Sequence, residues 1–416
     1  MHEHPRLSLM PRSTPPWKSF VRSAIVLTAT AMAAAGCSTT QIVVAPVTLP
    51  QDPLVARLPL AVGAYYAPQF RSYEHVEEWT GAARHRWSLL LGPASASLFE
   101  QTLPAMFGQV RPLAMPPGAA VGLDRLDAVV EPTIEDAQLT FGPALRTARF
   151  RIRYRLTLRS ADGQTIASWT ALGAAEDTHG VFELRPTVVA RVVERALRAA
   201  AADLLVGFHQ QPELARWPAE APRTLPSLPA APVPSAAGVT IIGAEPKDDG
   251  PFPECIATRI RADRPELKMI PTREFRDALF PWFEPHTAPH DAERFAAVLA
   301  RPGIAGRLAM LDVRYMVLVS GGTTMDWKGG IGCGVAYQGG GCFGLKWADR
   351  SSTVAAVVWD TKRAGEAKFG AEVNTKWIIP ALVVPIPLVV PTESTACWKA
   401  ATLIEDYLQR MSSDVP

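Results

Sequence analysis

The chain has 416 residues, a formal net charge of +2, 20% charged and 48% hydrophobic residues. Such a balance is that of a soluble globular protein and leaves no global field to recruit nucleic acid or an acidic partner. The length exceeds what one hydrophobic core usually serves, so two domains are expected.

In chain order, Arg6, Arg12, Lys18 and Arg22 precede Ala24 to Cys37 (AIVLTATAMAAAGC), a basic region, then a short apolar run, then small residues and a cysteine. This is the order of an export signal. The run is too short to span a bilayer, which takes about 20 residues. Its last four residues, Ala34, Ala35, Gly36 and Cys37, resemble the lipobox of bacterial lipoproteins, although Ala34 stands where leucine is usual. The resemblance implies removal of residues 1–36, a lipid on Cys37 and anchoring in one leaflet, because several acyl chains bury enough methylenes to hold a protein at a membrane. Ser38 in place of aspartate implies the outer membrane, with the body facing the periplasm.

Residues 37–57 contain Pro46, Pro50 and Pro53 and no helical period, which predicts a tether. Residues 58–209 are expected to form a first α+β domain. Leu58–Tyr66 reads as a buried strand and Ser95–Val110 as a helix interrupted by Pro104. Asp127–Ile134 reads as a strand, and Thr147–Ser160 with Gln164–Ala175 as a hairpin turned by Asp162 and Gly163. In that hairpin Phe150, Ile152, Tyr154, Leu156 and Leu158 share one face, with Arg149, Arg151, Arg153, Arg155 and Arg159 on the other. The arginine ladder admits two readings, a solvated face that protects the sheet from aggregation or a surface for acidic lipid headgroups. Thr187–Phe208 closes the domain as an amphipathic, alanine-rich helix.

Residues 210–237, rich in proline and alanine, are expected to be a linker. Residues 238–412 are the second α+β domain. Strands are expected at Gly238–Ala244, Leu267–Ile270, Asp312–Ser320, Thr353–Asp360 and Glu366–Val373, and helices at Cys255–Ala262, Arg273–Phe280, Asp291–Ala300 and Ala396–Met411. The fold class is thus α+β, two tandem α/β-sandwich modules with mixed or antiparallel sheets. The similar order of elements in both halves suggests related modules.

Arg314–Gly321 (RYMVLVSG) followed by Trp359–Glu366 (WDTKRAGE) resembles the small α+β domain of envelope lipoproteins related to curli-secretion components and to the amino-terminal domain of TolB. That resemblance implies an adaptor or assembly role without catalysis. Between those strands, Gly321–Lys346 carries ten glycines and two cysteines. It holds neither a Walker A pattern nor a strand-linked G-x-G-x-x-G, so a stiffened hairpin tip is expected in place of a phosphate cradle. With Cys37 set aside, Cys255, Cys333, Cys342 and Cys397 form an even set with three possible connectivities. The favoured pairs are Cys333–Cys342, which would stiffen the ribbon, and Cys255–Cys397, which would join the domain's first and last helices. A site of four thiolates on a metal is the rival, disfavoured because no C-x-x-C is present.

The remaining chemistry is sparse. His286, His290 and Asp291 lie in EPHTAPHD, where Pro285 and Pro289 predict a loop and not the helix that an i, i+4 metal pair requires. Asp124, Asp127, Glu131, Glu135 and Asp136 cluster in sequence and read as surface acids. Neither G-x-S-x-G nor H-E-x-x-H occurs. Trp377–Val390 is uncharged and holds three prolines, which leaves a buried extended segment or an exposed contact loop. No catalytic residue, cofactor, metal or nucleic-acid partner is expected. The two resemblances together imply a membrane-anchored periplasmic adaptor or assembly factor with an envelope protein as its partner. The alternatives are an envelope hydrolase acting on lipid or peptidoglycan, or a lipid or small-molecule carrier using the groove between modules.

Overall fold

The structure is a computed structural model that describes residues 38–80, 84–116, 125–142, 147–160, 162–178, 186–214, 238–243, 251–336, 339–361, 365–380 and 392–413. The first half contains β1 (Ser38–Val43), β2 (Leu58–Tyr65), α1 (Pro68–Arg71), β3 (Glu74–Thr80), β4 (Arg84–Leu90), α2 (Gly92–Met106), β5 (Phe107–Leu113), β6 (Ala128–Phe141), β7 (Thr147–Arg159), β8 (Thr165–Thr178) and α3 (Pro186–Phe208). The second contains β9 (Gly238–Gly243), α4 (Pro251–Asp263), β10 (Lys268–Ile270), α5 (Thr272–Ala278), α6 (Ala292–Leu299), α7 (Ile304–Leu311), β11 (Val313–Ala336), β12 (Gly339–Asp360), β13 (Gly365–Pro380) and α8 (Thr392–Ser413).

Each half builds one five-stranded sheet, in the orders β5-β2-β6-β7-β8 and β10-β9-β11-β12-β13. Ranked along the chain, both orders are second, first, third, fourth, fifth. In both, the first three strands in space run parallel and the last two add antiparallel. A helix joins the first strand to the second in each half (α2, α4), and another follows the fifth (α3, α8). The expected α+β class with tandem sheet modules is therefore observed, and the modules share one topology. A smaller sheet, β1-β4-β3, is added to the first module.

Side-chain alternation decides how the layers stack. In β7, Phe150, Ile152, Tyr154, Leu156 and Leu158 are buried against the helices while the arginines alternate outward. Gly173 of β8 lets α3 approach, for a Cβ there would run into the Ala196 carbonyl. The second sheet is covered on both faces. Tyr315, Val317 and Val319 of β11 join the core under α4 and α8, while Met316 and Leu318 join the opposite core. Burial on both sides is why DVRYMVLVS reads as a continuous apolar run.

Two expectations about boundaries change. The helix expected over Ser95–Val110 ends at Met106, and β5 begins at once, with the Phe107 N–H still bonded to the Leu103 carbonyl. The segment expected to be a tether is part of the body. β1 pairs in parallel with β4, and Ile42, Val44, Val47, Leu49, Leu54 and Val55 are buried. Gln101 fastens the segment, accepting from Leu49 N at 3.0 Å and donating to Val47 O at 2.7 Å. Its prolines exclude helix but are compatible with an extended path, and its apolar side chains find a core to enter.

Nor do the modules stand apart. One core runs from Phe99, Tyr154 and Phe208 through Phe275, Phe280, Phe283 and Trp359. Leu54 N–H donates to Phe280 O at 3.0 Å, and Trp282 Nε1–H returns to Leu54 O at 2.7 Å. The segment from α5 to α7 is thus wedged between the two sheets. Residues 215–237, most of the expected linker, lie outside the described residues.

Candidate functional site

The wedge leaves a cavity of about 390 Å³ at the junction of the modules, walled by Val47, Thr48, Ala174, Ala175, α3, the start of α5, Glu284 and Pro285. Its polar lining is mostly guanidinium. Arg191, Arg195 and Arg198 fall at i, i+4 and i+7 on α3, which puts them in one row. Arg273 and Arg276, at i and i+3 on α5, form a second row. Glu194 and Glu284 are the lining carboxylates.

Arg198 is held by two carboxylates. Its Nε and Nη2 donate to Glu284 Oε1 at 2.9 and 2.7 Å, and its Nη1 is 2.7 Å from Asp277 Oδ1. Burial pulls its pKa down, but Glu284 and Asp277 outweigh that and hold it above the ordinary arginine value. The guanidinium carbon also lies 5.2 Å from the centre of the Phe280 ring. Arg276 is buried and donates to Phe283 O at 3.1 Å and Gly243 O at 3.3 Å, tying α5 to the end of β9. At the rim, Arg191 lies 3.1 Å and Arg195 4.0 Å from the same carboxylate oxygen of Asp177. Arg273 lies 3.8 Å from Asp277 and its side chain is 90% exposed.

Asp203, His286 and His209 are further titratable groups of this region. Asp203 Oδ2 accepts from Leu172 N at 2.8 Å, and burial pushes its carboxyl above the ordinary range, against opposing pulls from that bond and His286. His286 Nε2 donates to Ala174 O at 3.2 Å, a bond across the modules. The imidazole of His209 is held below its ordinary pKa by burial and by Arg301.

Other sequence-selected residues are dispersed. Cys255 and Cys397 form a disulfide, Cα to Cα 6.3 Å, between α4 and α8. Cys333 and Cys342 stand directly opposite one another in the β11–β12 register. Cys37 and Asp124 lie outside the described residues. His286 and His290 do not converge with Asp291, which caps α6 by accepting from Arg294 N at 2.8 Å while His290 is exposed. Three of the carboxylates expected as surface acids lie on the solvated face and are partners of the arginine ladder: Glu131 with Arg159, Glu135 with Arg155, Asp136 with Arg151. A bulge at Glu135 brings it and Asp136 within reach of the same arginine face. Glu176 pairs with Arg149, and Asp127 accepts from Ala61 N at 2.7 Å. Four of the five ladder arginines are thus paired with carboxylates on a solvated face. Trp377 to Pro380 end β13, and the rest of Trp377–Val390 lies outside the described residues.

Sequence reasoning missed the cleft arginines. The apolar stripe of α3 was visible, and the arginines at 191, 195 and 198 on its other side were the available signal. What could not be read was the arrival of α5 opposite them.

Neither a family model nor a curated protein matches the chain. Among solved structures, protein XCC0632 from Xanthomonas campestris, a DUF330 protein, is similar at 15% identity over 41% of this chain and 97% of that one, with a TM-score of 0.28. Lipoprotein GNA1162 from Neisseria meningitidis is similar at 8% identity over 43% of this chain and 99% of that one, with a TM-score of 0.19.

Proposed function

We propose that this chain is a lipid-anchored envelope protein, held at the outer membrane through Cys37 and facing the periplasm, that works as a non-catalytic adaptor or assembly factor for an envelope protein partner. The observation that carries the adaptor role is the ribbon of β11, β12 and β13. Pairing with β9 ends at Val319, yet β11 and β12 stay in register to Ala336 and Gly339. The extra length is roughly 55 Å at about 3.3 Å per residue. Strands that outrun their own sheet offer backbone pairing to a second protein, the geometry of β-augmentation. Export is supported by Ala24–Cys37 and by the Cys255–Cys397 disulfide, a bond that persists in oxidising compartments. The resemblance of Arg314–Gly321 and Trp359–Glu366 to envelope lipoproteins agrees with this reading.

Because β1 begins at Ser38, a lipid on Cys37 would hold the β1-β4-β3 sheet against the bilayer with no intervening tether. The test is a photo-crosslinking residue at Ala336, compared with one at Glu78 in β3, in intact cells and with Cys37→Ser as control. Recurrent adducts to one envelope protein from Ala336, lost in Cys37→Ser, are expected. Equal adducts from both positions, or none from Ala336, would overturn the adaptor reading.

A further inference from the structure

We propose that the far end of the ribbon formed by β11, β12 and β13 inserts into a phospholipid bilayer. The register across the three strands carries the argument. Where the ribbon leaves the sheet it is charged: Met325 stands level with Arg350 and Thr375, and Asp326 with Asp349 and Lys376. The next level sets Trp327, Ala348 and Trp377 side by side, and the one after it Lys328, Trp347 and Ile378. Gly329, Lys346 and Ile379 follow. Trp327, Trp347 and Trp377 thus share one narrow band with Lys328, Lys346 and Lys376, although they come from three strands. Beyond the band charge disappears. From Gly330–Leu345 to Ala336–Gly339 no pair of the β11–β12 register holds a charged residue, and β13 ends in Ile378, Ile379 and Pro380.

That band has the composition of a membrane–water interface, where tryptophan rings settle at headgroup level and lysines keep their ammonium groups in water. Its lysines also suit anionic headgroups. From Gly329 to Ala336 the strand reaches about 26 Å at about 3.3 Å per residue, close to the hydrocarbon thickness of about 30 Å. In water the same end would be a hazard. Among the described residues nothing pairs with β11 past Val319 on the side that β9 leaves, and proteins ordinarily guard such edges with charge. β13 carries Glu366, Lys368, Glu372 and Lys376 along its length near the sheet, whereas the ends of β11 and β12 carry no such guard. The inference deepens the adaptor reading and rests on its lipid anchor, which brings the ribbon to a bilayer. It also narrows the partner. Hydrocarbon supplies no water to bond the outer backbone edges of β11 and β13, so strands must pair with them at that depth. The envelope partner is therefore a protein with strands inside the membrane.

The test places a benzophenone amino acid in the full chain at Phe343 or at Ile331, beyond the band, and at Thr324, before it. Intact cells are irradiated, and the peptide carrying each position is read by mass spectrometry for added phospholipid. Phospholipid adducts are expected at Phe343 and at Ile331 and are lost at Thr324. Formation of the Cys255–Cys397 disulfide in each variant verifies its fold. Two tip positions on different strands keep the test decisive if one of them disturbs the hairpin. The proposal is overturned if neither tip position captures lipid, or if Thr324 captures it equally. Protein adducts from Ala336 without lipid adducts from the tip would leave the adaptor reading standing and sink this one. Lipid adducts from the tip without protein adducts from Ala336 would do the reverse.

Discussion

Arg198 and Glu284 join the two modules through a pair whose side chains are 19% and 5% exposed. Replacing Arg198 with methionine leaves the Glu284 carboxylate buried without its guanidinium, and breaking a buried pair from one side costs about 3–5 kcal/mol. Glu284→Leu costs less, about 1–3 kcal/mol, because Arg198 keeps Asp277, whose side chain is 40% exposed. The double variant replaces both charges by apolar groups beside the Phe280 ring, and such replacements are often near neutral. The singles should therefore overshoot the double, with a coupling energy of about 2 kcal/mol or more. Urea unfolding followed by both intrinsic fluorescence and far-ultraviolet circular dichroism measures the cycle, and coincident transitions verify that one free energy describes it. Additive singles, with coupling below about 0.5 kcal/mol, would show that this pair does not hold the modules together.

Other outcomes follow from the same geometry. Removing the Cys255–Cys397 disulfide by double serine substitution should cost up to about 5 kcal/mol, since it closes a loop with a sequence separation of 142; a melting temperature within a degree or two of the parent's would contradict that. Gly173→Val forces a side chain against the Ala196 carbonyl, and a loss of about 3 kcal/mol or more is expected in the same unfolding assay. Arg155→Ala, by contrast, should change stability by less than about 1 kcal/mol, because its pair with Glu135 lies on the solvated ladder. Asp203 carries a folded-state pKa above its ordinary 3.8, so the folded state binds the proton more tightly. Its contribution is present below 3.8 and is lost as pH rises through the raised folded value. In Asp203→Asn that downward slope should flatten, and an unchanged slope in pH-dependent melting would refute the assignment.

Much of the secondary structure was legible because its signals are local. The β7–β8 hairpin follows from strict alternation and an Asp-Gly turn, and α3 from an alanine-rich apolar stripe. Elements whose stability comes from distant partners were hidden. β1 and the β3–β4 hairpin form the added sheet, α7 packs against α6 and β11, and β5 starts where α2 stops in the middle of an amphipathic pattern. The Cys255–Cys397 pairing was readable once the first and last helices of the module were expected to be neighbours.

From sequence alone come the α+β class, the two-part organisation and the arginine ladder, because each is written in composition or in periods of two or 3.6 residues. Only the tertiary structure decides that the supposed tether is packed, that Glu131, Glu135 and Asp136 pair with the ladder, and that α5 brings Arg273 and Arg276 opposite Arg191, Arg195 and Arg198. The physical reason is that charges far apart in the chain meet only after the cores have formed, and the residues that bring them together, Leu54, Phe280 and Trp282, reveal their partners only once both modules are folded.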